Sequence, residues 1–308
     1  MTLQTKKLSI GFERTCECQP NHINCLTAKD WIKDQIGVWA EDFDDNEFQR
    51  VVEFYYEARD IRDKTIHPAV FPINLAKKII GLFTHKGELV LDPFLGAGTA
   101  LVAARDLQRN AVGLDINQKY IDVTKKRLEQ DTLHTSNQQL PILDDARNIA
   151  DYLEPETIKL VFTSPPYANL LNRPRLNKSR RGDLRENNQF LKVEQYSQDP
   201  RDLGVLKVEK YAEELKEIYE KILPLMKPKA HSIINVPDVW TNEVPGGKRI
   251  PIHIHVYNAM IDAGYELRNT IIWDRTNIVN KIGIFGWPSN FITMGTTFEY
   301  LLDFWKPA

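Results

Sequence analysis

Glu88-Leu89-Val90-Leu91-Asp92-Pro93-Phe94-Leu95-Gly96-Ala97-Gly98-Thr99 is the stretch that decides the fold. Its first five residues are an apolar run of strand length ending in a carboxylate, and the apolar residues from Ala100 to Leu107 recur at helical spacing. A strand, a Gly-x-Gly turn and a helix bring backbone N–H groups and a helix N-terminus up to a ligand, because glycine lets the chain approach without a Cβ. Asn110 to Leu114 reads as a second strand that delivers Asp115 to its end. In nucleotide-binding βαβ units an acid at that place hydrogen-bonds ribose hydroxyls, and the interval from Gly98 to Asp115 suits that geometry. Alone, the unit fits any dinucleotide or nucleoside.

Working outward, Ile158 to Phe162 is another apolar run, capped by Thr163-Ser164-Pro165-Pro166-Tyr167. Two prolines in succession fix φ and remove two N–H donors, which leaves a stiff ledge with outward carbonyls. A hydroxyl, a free carbonyl and an aromatic ring on such a ledge can hold a flat, amine-bearing ring. Upstream, Pro72 suits the first turn of a helix from Ile73 to Phe83, whose Leu75, Ile79, Ile80 and Phe83 share one face. Downstream, a helix from Asn117 to Glu129 precedes a strand from Gln139 to Leu143, which ends at Asp144-Asp145-Ala146. An acid there either reaches a bound base or caps the following turn. Beyond Val208 the pattern predicts a helix to Leu225, a strand from Ala230 to Val236, a helix from Ile250 to Ala263, and strands from Tyr265 to Trp273 and Thr297 to Trp305.

Seven strands follow, the first five alternating with helices, so the fold class is α/β with a mostly parallel, doubly wound sheet. The last two are joined without a helix, which suits a closing antiparallel pair. Right-handed crossovers gather the C-terminal ends of the parallel strands on one edge, where ligands bind. The Gly-x-Gly turn, Asp115, Asp145 and Ser164 all fall on that edge.

Two of these segments resemble motifs of the S-adenosylmethionine-dependent DNA amino-methyltransferases. Asp92-Pro-Phe-x-Gly-x-Gly-Thr99 is similar to their motif I, and Ser164-Pro-Pro-Tyr167 to their motif IV; His67, Pro68 and Pro72 are similar to motif X. The resemblance implies a seven-stranded, Rossmann-like methyltransferase fold from His67 to Trp305. It implies S-adenosyl-L-methionine as cofactor, held by His67, Pro68, Asp92, Pro93, Phe94, Gly96, Gly98, Thr99, Asp115, Ile116, Asp145 and Ala146. It implies catalysis by Ser164, Pro165, Pro166 and Tyr167. In that reading the Ser164 side chain and the Pro165 carbonyl accept hydrogen bonds from an exocyclic amine and localise its lone pair. Tyr167 stacks on the base, which must be flipped out of the duplex.

Serine at the head of motif IV implies the N4 amine of cytosine in double-stranded DNA, with adenine N6 as the alternative. An RNA guanine amino group, or a non-catalytic cofactor- or DNA-binding subunit, are further readings. The order X, I, IV resembles the γ group, and a cognate restriction endonuclease is the partner implied. In that group a target-recognition region follows the catalytic half. Here recognition is expected from residues 1–66, 168–206 or 274–296, or from another chain.

The chain has 308 residues, 42% hydrophobic and 27% charged, with a formal net charge of −2. A nucleic-acid surface must therefore be a local patch. Arg173, Arg175, Lys178, Arg180, Arg181 and Arg185, directly after the proline ledge, are expected to contact DNA phosphates or base edges. No run approaches the ~18 apolar residues of a membrane span, and the N-terminal residues lack a signal-peptide core, so a cytoplasmic protein is expected. Whether it is a monomer or a homodimer is not written in the sequence. Residues 1–66 are expected to form a helical extension, with Trp31, Trp39, Phe43, Phe48, Phe54, Tyr55 and Tyr56 packing on the core. Three cysteines, Cys16, Cys18 and Cys25, flank His22. Their Cys-x-Cys-x3-His-x2-Cys spacing is not a standard structural-zinc pattern, so reduced thiols without a metal are expected.

Overall fold

The computed structural model describes residues 6–19, 23–39, 71–129, 136–171, 199–241, 247–275, 286–287, 291–292 and 296–307. All seven predicted strands are present: β2 (Leu89–Asp92), β3 (Asn110–Asp115), β4 (Gln139–Leu143), β5 (Ile158–Thr163), β6 (Met226–Val236), β9 (Glu266–Asp274) and β12 (Phe298–Trp305). An eighth, β1 (Val38–Trp39), joins them, and the sheet runs β1-β9-β12-β6-β5-β2-β3-β4. β2 pairs in parallel with β3 and β5, β3 with β4, and β5 with β6. β12 lies antiparallel between β6 and β9, and so closes the sheet as a reversed strand. Two small hairpins stand apart: β7 (Val239–Thr241) with β8 (Lys248–Ile250), and β10 (Gly286–Trp287) with β11 (Phe291–Ile292).

The helices are α1 (Ala28–Asp34), α2 (Ile73–Phe83), α3 (Thr99–Asp106), α4 (Gln118–Glu129), α5 (Val208–Ile222) and α6 (Ile252–Asp262). They cover both faces of the sheet. Along β2, Leu89 and Leu91 enter the core shared with α5 and α6, while Val90 enters the core shared with α2 and α3. Alternate side chains of a strand point to opposite faces, so a strand apolar at every position must be covered on both. Burying each such side chain contributes roughly 1.5–3 kcal/mol. No helix among the described residues is long and apolar enough to cross a membrane.

The N-terminal extension differs from the all-helical expectation. Thr27 caps the short α1 by accepting from Asp30 N, but the chain then runs extended and adds β1 in parallel to β9, pairing Val38 with Ile272 and Trp39 with Trp273. Trp39 is buried at the sheet, and the Lys78 ammonium sits 4.5 Å over its ring while pairing with Asp34 at 3.0 Å. Phe43, Phe48, Phe54, Tyr55 and Tyr56 lie outside the described residues.

Candidate active site

The C-terminal ends of β2, β3, β4 and β5 open into one cleft of about 640 Å³, including its open mouth. Pro93 and Phe94 come from the glycine turn, Asp115 and Ile116 from β3, Asp145 and Ala146 from β4, and Ser164 and Pro166 from the proline ledge. Eight residues singled out on sequence grounds thus share one lining.

The glycine turn is held from beneath. Gly98 caps α3 with φ +79°, and a Cβ there would lie 2.4 Å from Thr124 Oγ1, so only glycine fits. Arg127 of α4 donates to Ala97 O at 2.6 Å and to Thr99 Oγ1 at 3.1 Å, tying the turn to the next helix. Gly96 N donates to Asp115 Oδ2 at 2.9 Å, and Asn117 N to Asp115 Oδ1 at 2.8 Å. A carboxylate offers about four acceptor positions, so Asp115 keeps capacity for two ribose hydroxyls. Withdrawal from water raises its pKa to about 7, against the pull of those two N–H groups.

Asp92 stands one layer deeper. It is fully buried, accepts from Thr163 Oγ1 at 2.6 Å and from Phe94 N at 3.1 Å, and burial raises it to about 7 as well. Asp92 therefore shapes the turn and couples β2 to β5, while Phe94 and Asp115 face the cleft. After β4 the turn-capping role left open by the sequence falls to Asp145. Asp145 caps the following 3₁₀ turn through Arg147 N at 2.9 Å and pairs with the Arg147 guanidinium, which also binds Glu214 at 2.6 Å. Asp144 accepts from Tyr152, Asn148, Asp145 N and Lys6; these bonds outweigh its desolvation and lower its pKa to about 2. Both line the cleft.

On the ledge, Ser164 Oγ donates to Asn235 O at 3.3 Å and lies 2.7 Å from Tyr167 OH. A serine hydroxyl has one proton and two lone pairs, so donating to Asn235 O and accepting from Tyr167 leaves it one acceptor position, and Ser164 lines the cleft. Tyr167 is only 5% exposed, so its ring is packed into the protein, where it orients Ser164. Pro165 is buried and Pro166 half-buried. Asn235 is itself held by Glu299 through its side-chain amide at 2.8 Å, and Glu299 pairs with Arg275.

Sequence reasoning missed the far wall of the cleft. Arg201, Asp202, Leu203 and Ile218 line it, and Asn117 and Tyr120 line the side below Asp115. Asp202 caps the 3₁₀ turn Leu203–Val205 through Gly204 N at 2.7 Å, so this wall is a built element. Its Asp-x-Gly pattern was the one local signal within a stretch otherwise polar and aperiodic. His67, Pro68 and the basic residues Arg173, Arg175, Lys178, Arg180, Arg181 and Arg185 lie outside the described residues.

The donor set fits S-adenosylmethionine: a strand-end carboxylate suits the ribose diol, Asp145 after β4 suits the adenine amine, and Phe94, Ile116 and Leu203 offer apolar walls for its ring. A family model described as DNA methylase, of the N6/N4 type, matches residues 14–126 and 158–308. The type II methyltransferase M.BglI of Bacillus subtilis is 34% identical over 91 residues, 30% of this chain and 26% of that one. M.HindIII of Haemophilus influenzae is 32% identical over 115 residues, 36% of this chain and 37% of that one, so the match spans well under half of either relative's length. Among solved structures, TrmN from Thermus thermophilus superposes with a TM-score of 0.45 at 14% identity, over 78% of this chain and 50% of that one. With most of its length matched, the chain belongs to the N6/N4 DNA methylase family, whose members are S-adenosylmethionine-dependent amino-methyltransferases.

Proposed function

We propose that this protein methylates the N4 amino group of a cytosine flipped out of specific sites in duplex DNA, as the modification partner of a restriction endonuclease. The observation that carries the reading is the hydroxyl of Ser164, which stands at the cleft with one acceptor position open. An exocyclic amine is a poor nucleophile because its lone pair is delocalised into the ring. Accepting one of its N–H bonds at Ser164 Oγ draws the nitrogen toward sp³ and frees that lone pair. The buried Tyr167 and the Asn235 carbonyl fix the hydroxyl, so little reorganisation is left for the reaction. Bound in the cleft, S-adenosylmethionine supplies an electrophilic methyl group on its sulfonium. Asp115 and Asp145 orient it, the glycine turn sets its depth, and the ledge positions the amine for in-line attack. A duplex base cannot reach this depth while stacked, which is why base flipping belongs to the proposal.

A neutral serine, with no carboxylate on the ledge, supports cytosine over adenine as the target. The test is mass spectrometry of nucleosides from DNA incubated with the protein and S-adenosylmethionine. N4-methylcytosine is the expected product. N6-methyladenine as the sole product would overturn the base assignment, and labelling of RNA in place of DNA would overturn the substrate.

A further inference from the structure

At the opposite, N-terminal end of β2 the three cysteines converge with a histidine that the sequence separates from them. Cys16 Sγ lies 3.3 Å and Cys25 Sγ 3.5 Å from Nδ1 of His85, and the ligand atoms of Cys16, Cys18, Cys25 and His85 all fall within 4.8 Å of one another. From these positions we propose that Cys16, Cys18, Cys25 and His85 bind a structural zinc ion that staples the N-terminal segment to the turn between α2 and β2. Zinc–sulfur bonds of about 2.3 Å and zinc–nitrogen bonds of about 2.0 Å in a tetrahedron place thiolate and imidazole atoms roughly 3.5 Å apart. The two sulfur–nitrogen separations match that spacing.

Hydrogen bonds frame the cluster. Thr15 N donates to Lys86 O at 2.8 Å on one side of His85, and the buried Asn24 amide donates to Leu82 O at 2.7 Å on the other. Gly87, with φ +83°, lets the two segments touch: a Cβ there would lie 2.5 Å from Glu13 O. His85 is 3% exposed, and its backbone N–H donates to Glu88 Oε2 at 2.7 Å. Three thiolates and a neutral imidazole around Zn²⁺ carry a net charge of about −1, and a half-buried site of that charge is favoured by a countercharge. The guanidinium of Arg109, 4% exposed and bonded to Thr84 Oγ1 and Thr84 O, stands within electrostatic reach of all three thiols. Three sulfurs and one nitrogen close the coordination shell, which marks a structural rather than a catalytic zinc. The ligand spacing was unrecognisable in the sequence because the fourth ligand comes 60 residues after Cys25.

Elemental analysis of the purified full-length protein tests this, paired with thermal unfolding with and without a strong chelator. About one zinc per chain is expected, with loss of the metal in Cys25→Ser and His85→Ala and a Tm lowered by about 10 °C or more on chelation. Cobalt substitution of the wild type, read by tetrahedral d–d and thiolate charge-transfer absorption, does not depend on those variants folding. Metal-free protein with three titratable thiols and a Tm unmoved by chelator or added zinc would overturn the proposal. So would a disulfide among the cysteines in protein kept under reducing conditions.

Discussion

The two ends of β2 obey opposite rules. At its C-terminal end, Asp92, Asp115 and Ser164 are held by backbone and side-chain partners, yet Asp115 and Ser164 retain acceptor capacity toward an open cleft. At its N-terminal end, His85, Glu88, Arg109 and the thiols turn inward upon one another. The same strand therefore separates a pole whose valency is left open for ligands from one whose valency is closed for stability. Both poles mix buried with half-buried groups, so burial does not mark function; acceptor capacity left unused at a cleft does.

Replacing Ser164 by Ala should give the largest effect, because it removes the acceptor at the open pole. Methyl transfer to DNA should fall about 10²–10³-fold, while Tm and cofactor affinity stay near wild type. A variant that lost Tm in step with rate would show that the ledge belongs to the structural pole. The pH dependence of stability sharpens the same contrast. Asp92 and Asp115 have folded-state pKa values of about 7, above an unfolded value of about 3.9. Each binds its proton more tightly in the folded chain. Their contribution is thus fully present below about pH 4 and is lost as pH rises to about 7. Denaturant titration of cofactor-free protein should show this decline, and Asp92→Asn should flatten it by up to a few kcal/mol.

Glycine substitutions follow with smaller effects. Gly98→Ala places a Cβ against Thr124 at positive φ and should lower stability by about 1–3 kcal/mol, with weaker cofactor binding by calorimetry. Gly81, in the last turn of α2 with nothing within 4 Å of where a Cβ would stand, should behave oppositely. Its change to Ala should raise stability by about 0.5–1 kcal/mol and leave binding untouched.

How legible all this was in the sequence depended on whether the signal was local. The strand ends carrying Asp92, Asp115, Asp145 and Ser164 were legible because glycine, proline and apolar runs punctuate them. β1 was not, since two residues carry no periodicity and Val38 and Trp39 become a strand only by pairing with β9. Tyr167 was assigned a stacking role that its buried, Ser164-bonded position does not favour, because tetrapeptide chemistry says nothing of which way a ring points. The wall of Asp202 and Leu203 and the meeting of His85 with Cys16 and Cys25 arise from contacts across long stretches of chain. The hairpin of β7 and β8 falls between the predicted strand ending at Val236 and the predicted helix from Ile250, where no element was expected.

Ultraviolet crosslinking of methyl-labelled S-adenosylmethionine to the protein, followed by peptide mapping, tests the open pole most directly. Label should fall on peptides containing Phe94, Asp115 to Tyr120, or Ser164 to Tyr167, and should be competed by unlabelled cofactor. Competable label confined to peptides from the other end of the sheet, around His85 and the cysteines, would contradict the placement of the cofactor.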